Sequence, residues 1–211
     1  YPSSGKTLLA LQFALRMARR YRVGYYSLET GAAKLTDRLI AHMAQVPLGK
    51  IKRRTLTDDE KAAVGAAASR LARLPIDFAP ASGMGVRDVR AAALAQRHQV
   101  VIIDYMQLLR GAGKSRYEEV TGISMDLHEL AQSYGLLVIA LSQLSRADKS
   151  QGKPRPPDMS SFRESGQIEQ DLDVAMLLYP ADPNDNSSNR VLKLGKNKDD
   201  VRLHPAFVEF L

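Results

Sequence analysis

The run Val100-Val101-Ile102-Ile103 is continuously apolar and β-branched, the composition of a strand buried on both faces. Such strands pair in parallel, and parallel neighbours need crossover segments that are usually helical and right-handed. The chain supplies them. Leu8, Leu11, Leu15 and Ala18 keep helical spacing within residues 5–20, residues 23–28 read as a strand, and Leu35, Leu39, Ile40 and Met43 mark a second helix that Pro47 and Gly49 break. Thr57 and Glu60 form a capping-box pattern that opens an alanine-rich helix ended by Pro75. A short strand over 76–79, a helix over 86–97, the strand 100–103, a helix over 117–134 and a buried strand over 136–141 follow. This alternation predicts an α/β fold with a mostly parallel central sheet flanked by helices. After a long polar, basic connection over 142–161, residues 174–179, 191–195 and 207–210 read as closely spaced strands, so the C-terminal end is expected to be antiparallel. No internal repeat interrupts the plan, and 211 residues suit one domain covering 1–211.

Composition narrows the partners. Thirty Lys and Arg against 23 Asp and Glu give a net charge of +7, a surplus that suits a polyanion. The basic residues are distributed over several segments, which equally suits an ordinary solvated surface. There is no cysteine, so disulfides and thiolate metal sites are excluded, which fits the cytoplasm. No apolar run approaches the ~18 residues of a membrane helix, so no membrane partner is expected.

Chemistry enters at the first residues. Pro2-Ser3-Ser4-Gly5-Lys6-Thr7 gives the last six positions of G-x-x-x-x-G-K-[ST], a loop whose backbone N–H groups wrap the phosphates of a nucleotide. Gly5 lets the backbone approach the phosphates, Lys6 places a compact positive charge between the outer two, and Thr7 offers its hydroxyl to Mg²⁺. Leu8 continues into the helix, whose electropositive N-terminus faces the same anion. The motif's first glycine and the strand that normally feeds it are not in the sequence, so the chain is expected to be a fragment.

Asp104 and Glu29 end predicted strands, and Gln143 follows one by two residues. Asp104 reads either as a strand terminator or, paired with the phosphate loop, as the carboxylate that holds Mg²⁺ through its water shell. Glu29 reads as a carboxylate orienting the attacking water or as an acid interacting with the following turn. Gln143 carries an amide able to sense a terminal phosphate, although glutamine at a strand end is common.

In order along the chain, Pro2 to Thr7, Ser27-Leu28-Glu29, Ile102-Ile103-Asp104-Tyr105-Met106-Gln107-Leu108, Ala140-Leu141-Ser142-Gln143-Leu144-Ser145-Arg146 and Arg163-Glu164-Ser165-Gly166-Gln167-Ile168-Glu169-Gln170-Asp171 resemble bacterial replicative DNA helicases of the DnaB type. The last two strings are far more distinctive than the phosphate loop. The resemblance implies a RecA-like P-loop motor domain, a homo-hexameric ring, ATP with Mg²⁺ at subunit interfaces and single-stranded DNA in the channel. It implies nucleotide binding by residues 2–8, metal binding by Thr7 and Asp104, catalysis by Glu29 with Lys6 and γ-phosphate sensing by Gln143. Arg163, Glu164 and Gly166 fall in its DNA-facing loop. Primase and a helicase loader are partners expected through regions outside this chain.

Two departures are visible. The family's Lys-x-Arg that reaches a neighbouring subunit's ATP is Lys196-Asn197-Lys198 here, followed by Asp199-Asp200 in place of a glycine-bearing turn. Lysine lacks the planar fork of arginine, so Lys198 is expected to be a weaker finger, or Lys196 to take more of the work. The family's helical N-terminal domain and linker helix are also missing. Two other readings stay open: a recombination ATPase of the RecA or RadA kind, and a ring-forming nucleotide-binding module with impaired hydrolysis.

Overall fold

The computed structural model describes residues 5–143, 156–161, 166–182, 189–198 and 206–209. The described residues form two compact units, one from residues 7–109 with 135–141 and the other from residues 5–6, 110–134 and 142 onward.

The first unit is built on a four-stranded parallel sheet. Its strands are β1 (Val23–Ser27), β2 (Ile76–Pro80), β3 (Val100–Asp104) and β4 (Leu137–Ala140), in spatial order β2-β1-β3-β4. Register is in step across the sheet, with Val23 opposite both Ile76 and Val100, and Val100 opposite Leu137. The helices are α1 (Lys6–Met17), α2 (Ala32–Ala44), α3 (Leu48–Arg53), α4 (Asp58–Leu71) and α5 (Val86–Ala95). Alternation along the strands sends Val23, Tyr25, Val100 and Ile102 to one face, where they join Ala10, Leu11 and Ala14 of α1, Leu35 and Leu39 of α2 and Leu71 of α4 in a single core. Gly24, Tyr26, Val101 and Ile103 point the other way and are buried as well. β1 and β3 are therefore covered on both sides, as their apolar sequences require.

Local chemistry sets the helix ends. The Thr57 hydroxyl accepts from the Glu60 N–H at 3.3 Å and the Glu60 carboxylate accepts from the Thr57 N–H at 2.9 Å, so α4 begins with a complete capping box. Lys50 donates to Glu60 at 2.6 Å, and that bond, with the cap, holds the Glu60 carboxyl below its ordinary range. Pro47 does not simply break the chain: it caps the six-residue α3, which contains Gly49.

Helix α6 (Arg116–Tyr134) belongs to the second unit and buries Val120, Ile123, Leu127 and Leu130. Helix α7 (Gly166–Asp171) leads into an antiparallel sheet of β5 (Val174–Pro180), β6 (Asn189–Asn197) and β7 (Ala206–Glu209), in that spatial order. The β5–β6 register shifts between Ala175 and Met176. Ala175, Leu177, Leu178 and Val191 are buried on this sheet, whereas Val174 and Met176 are exposed. The parallel and antiparallel expectations both hold. β4 departs from its expected full burial, because Leu137 is 49% exposed and the strand has a neighbour on only one side among the described residues. No helix among the described residues is long and apolar enough to cross a membrane.

Candidate nucleotide site

In the first unit two neighbouring parallel strands, β1 and β3, end in register next to acidic residues. Ser27 at the end of β1 is in register with Asp104 at the end of β3, and the Leu28 N–H donates to the Asp104 carbonyl at 2.9 Å. Glu29 follows immediately and is exposed. The Ser27 hydroxyl donates to the Thr30 carbonyl at 2.6 Å and accepts from the Thr30 N–H at 3.1 Å, a tight turn that fixes the backbone on either side of Glu29.

Asp104 is only 5% exposed, and a buried carboxylate needs donors. Tyr25 supplies one, its hydroxyl donating to Oδ2 at 2.8 Å. Burial, followed by the charge and hydrogen bond of Asp104, pushes the Tyr25 phenol far above its ordinary value, so it stays a donor throughout the physiological range. Sequence reading misses Tyr25, yet a signal exists: Tyr25 pairs with Ile102, which puts its side chain on the face of Asp104 two residues further on.

Thr7 lies in the first turn of α1, a turn with no acidic residue to compete for an anion. Gly5, just before the helix, has φ 93°, a left-handed conformation that favours glycine and turns the chain into α1. Leu8 continues the helix half-buried. Thr7 offers a hydroxyl and Asp104 a carboxylate, oxygen donors of the kind a hard divalent cation takes, and among the described residues no three His, Cys, Asp or Glu side chains form a cage of their own.

In the second unit the Lys6 ammonium donates to the Ser142 carbonyl at 3.0 Å, and the next residue, Gln143, is exposed. Lys196 pairs with Ala175 near the end of the β5–β6 ladder, and Lys198 follows β6. The Lys196 ammonium donates to the Glu169 carbonyl of α7, and Lys198 donates to Asp173 twice, from its ammonium to Oδ1 and from its backbone N–H to the carbonyl at 3.0 Å. That ammonium holds the Asp173 carboxyl below its ordinary range. Gly166 is the first residue of α7, which is fastened to α6 by Ser124 donating to Asp171 Oδ2 at 2.7 Å and by the His128 imidazole at 2.9 Å from the Asp171 carbonyl. These partners of the two lysines have no sequence signal. Pro2, Ser3, Ser4, Arg163, Glu164, Asp199 and Asp200 lie outside the described residues.

Residues 1–203 match the family described as the DnaB-like helicase C terminal domain. The chain belongs to that family. It is 35% identical to the replicative DNA helicase DnaB of Rickettsia prowazekii, with 84% of this chain and 40% of that protein covered. It is 32% identical to a probable plasmid replicative DNA helicase of Chlamydia trachomatis, with 93% and 44% covered. The chain thus spans well under half the length of these curated relatives. Among solved structures it superposes on an ATPase domain with a TM-score of 0.90 at 30% identity, covering 100% of this chain and 79% of that one. A DnaB-like replicative helicase, described with its interactions with primase, gives 0.91 at 30% identity, covering 100% and 55%. The fold is RecA-like: a parallel sheet flanked by helices, with antiparallel strands at the C-terminal end. The DnaB-like family member read from the sequence motifs is what the comparisons return.

Proposed function

We propose that this chain is the ATP-driven motor of a replicative DNA helicase, hydrolysing ATP at the interfaces of a six-membered ring to move along single-stranded DNA and unwind duplex. The observation that carries the reading is the register that sets Asp104, buried and held by Tyr25, beside Ser27 at the end of β1, two residues before Glu29, in a member of the DnaB-like family. In this reading Pro2 to Leu8 wrap the phosphates, and Lys6 balances their charge. Thr7 and Asp104 hold Mg²⁺, which neutralises charge on the outer phosphates. Glu29 orients and deprotonates the attacking water, work worth roughly 10²–10⁴ in rate. Gln143 senses the terminal phosphate, Lys196 and Lys198 act on a neighbouring subunit's nucleotide, and Arg163, Glu164 and Gly166 face the DNA backbone. The setting is the cytoplasm, with primase and a loader meeting regions beyond this chain.

Turnover of ATP by the full chain with and without single-stranded DNA tests the proposal. Marked stimulation together with separation of a forked duplex supports it. Strand exchange in place of unwinding favours the recombination reading, and no DNA response in either assay rejects the motor. One observation favours a second reading, a ring module with impaired hydrolysis: Lys198 stands where the family resemblance expects arginine and is held by Asp173 of its own chain. That reading predicts tight ATP binding without turnover.

A further inference from the structure

The opposite edge of the parallel sheet carries a second concentration of charge. Every helix-to-strand turn of the first unit arrives there, and backbone bonds tie the turns together. Gln99 and Val100 donate to the Arg22 carbonyl at 2.9 and 3.1 Å, Arg22 N–H donates to Gln99 Oε1 at 3.2 Å, and Val23 N–H donates to the Pro75 carbonyl at 2.9 Å. Arg19 and Arg20 precede Arg22, Arg73 lies two residues before Pro75, and Arg97 two before Gln99. At 3.8 Å per residue their Cα atoms fall within roughly 11 Å of this junction.

All five arginines are exposed. The only acid in these turns and the strand starts they feed is Asp77, 3.7 Å from Arg22 and already engaged by His98 at 2.9 Å. Arg19, Arg20, Arg73 and Arg97 have no carboxylate partner among the described residues. The helix dipole accounts for a cation in the last turn of a helix, a place Arg16 fills in α1, but not for Arg19 to Arg22 beyond its end. Ordinary surfaces intersperse the two signs; here a single carboxylate, Asp77, stands among five arginines. Arg97 sits at φ 54°, in the left-handed region that favours glycine or asparagine, so local backbone preference does not explain an arginine there.

The residue types identify the ligand. Each cation is arginine, whose planar fork matches phosphate oxygens in pairs, and Tyr21, 45% exposed, stands between Arg20 and Arg22 as a surface on which an unstacked base can lie. We infer that this arginine edge is a binding surface for single-stranded nucleic acid, separate from the strand ends that carry Glu29 and Asp104. Five residues of β1 at about 3.3 Å each set the two edges roughly 16 Å apart. The inference does not depend on ATP hydrolysis.

Photo-crosslinking of the full chain to an oligothymidine containing 4-thiothymidine, without nucleotide, tests it. Label is expected in the peptide spanning Tyr21, read by mass spectrometry. In Arg20→Gln/Arg73→Gln/Arg97→Gln that label should be lost, affinity should fall by about tenfold or more, and the slope of log K against log salt should shrink by about 2, near 0.7 for each phosphate contact removed. Absence of label at Tyr21 in the parent chain overturns the inference even if the triple variant fails to fold. So does an unchanged salt slope in a folded variant, a duplex that binds with equal dependence on these arginines, or an acidic peptide that displaces the oligonucleotide with no crosslink having formed.

Discussion

Asp104 ends β3 and Lys198 follows the last residue of β6, and both carry a charge assigned to nucleotide chemistry, but the two regions hold their charges in opposite ways. Asp104 is buried, its geometry set by a phenol from the neighbouring strand and by a sheet closed on both faces. Lys198 is exposed, and the ion pair it makes with Asp173 joins two side chains that are each about half open to solvent. Burial makes the first charge costly to move; exposure makes the second cheap to redirect. A motor needs both kinds: a metal-holding group that keeps one geometry through every cycle, and a cation that exchanges partners as a neighbour's nucleotide changes.

The largest effect belongs to the fixed site. Replacing Asp104 with Asn keeps the shape and an acceptor for Tyr25 but removes the metal-directed charge. Several kcal/mol of electrostatic stabilisation, roughly 10²–10⁴ in turnover, should disappear while the thermal midpoint shifts little. Steady-state ATPase and a thermal melt on the same preparation check both halves. A turnover loss below about tenfold would remove Asp104 from the metal role and erase the contrast between the regions.

The movable site should respond more weakly. A charged hydrogen bond contributes about 1.5–3 kcal/mol, so Lys198→Ala is expected to lower DNA-stimulated turnover by about 10- to 100-fold. Lys198→Arg should raise it above the parent, because the guanidinium fork suits phosphoryl oxygens better than an ammonium. If Lys198→Ala leaves turnover unchanged and Lys196→Ala lowers it, the finger is Lys196. If neither matters, the cationic end of β6 has no part in hydrolysis.

The same division separates what is readable in the sequence from what is not. β3 and the Asp104 that ends it follow from four consecutive β-branched residues, because burial on both faces leaves a local composition. The capping box at Thr57 is likewise written within four residues. β4 misleads: apolar content alone cannot tell a central strand from one with a single neighbour among the described residues, and Leu137 is exposed. α3 escapes a sequence reading because Pro47 and Gly49 are poor helix-interior residues, yet Pro47 lies at the cap, where its missing N–H costs nothing. α7 buries only Ile168, too little to leave a periodic pattern. The Lys198–Asp173 contact spans 25 residues and depends on a register shift at Ala175, which nothing local encodes.

The smallest expected effect is also the one that sets the two regions against each other most directly, because their titrations run in opposite directions. The folded pKa of Tyr25 is raised, so its contribution to stability is whole below the ordinary phenol value near 10 and is lost as pH rises through the higher folded value. The folded pKa of Asp173 is lowered, so its contribution is whole above the ordinary carboxylate value of about 3.9 and is lost as pH falls through the lower folded value. An exposed pair is worth about 0.2–1 kcal/mol, so acid should release Lys198 without unfolding this part of the chain through that pair alone. Carboxyl ¹³C shifts of Asp173 followed against pH should show a depressed midpoint in the parent and an ordinary one in Lys198→Ala, while alkaline melts of Tyr25→Phe should lose part of the parent's decline above about pH 10. An Asp173 midpoint that ignores Lys198→Ala would mean the ammonium spends its time elsewhere, and the β6 end would then be freer than the contact with Asp173 implies.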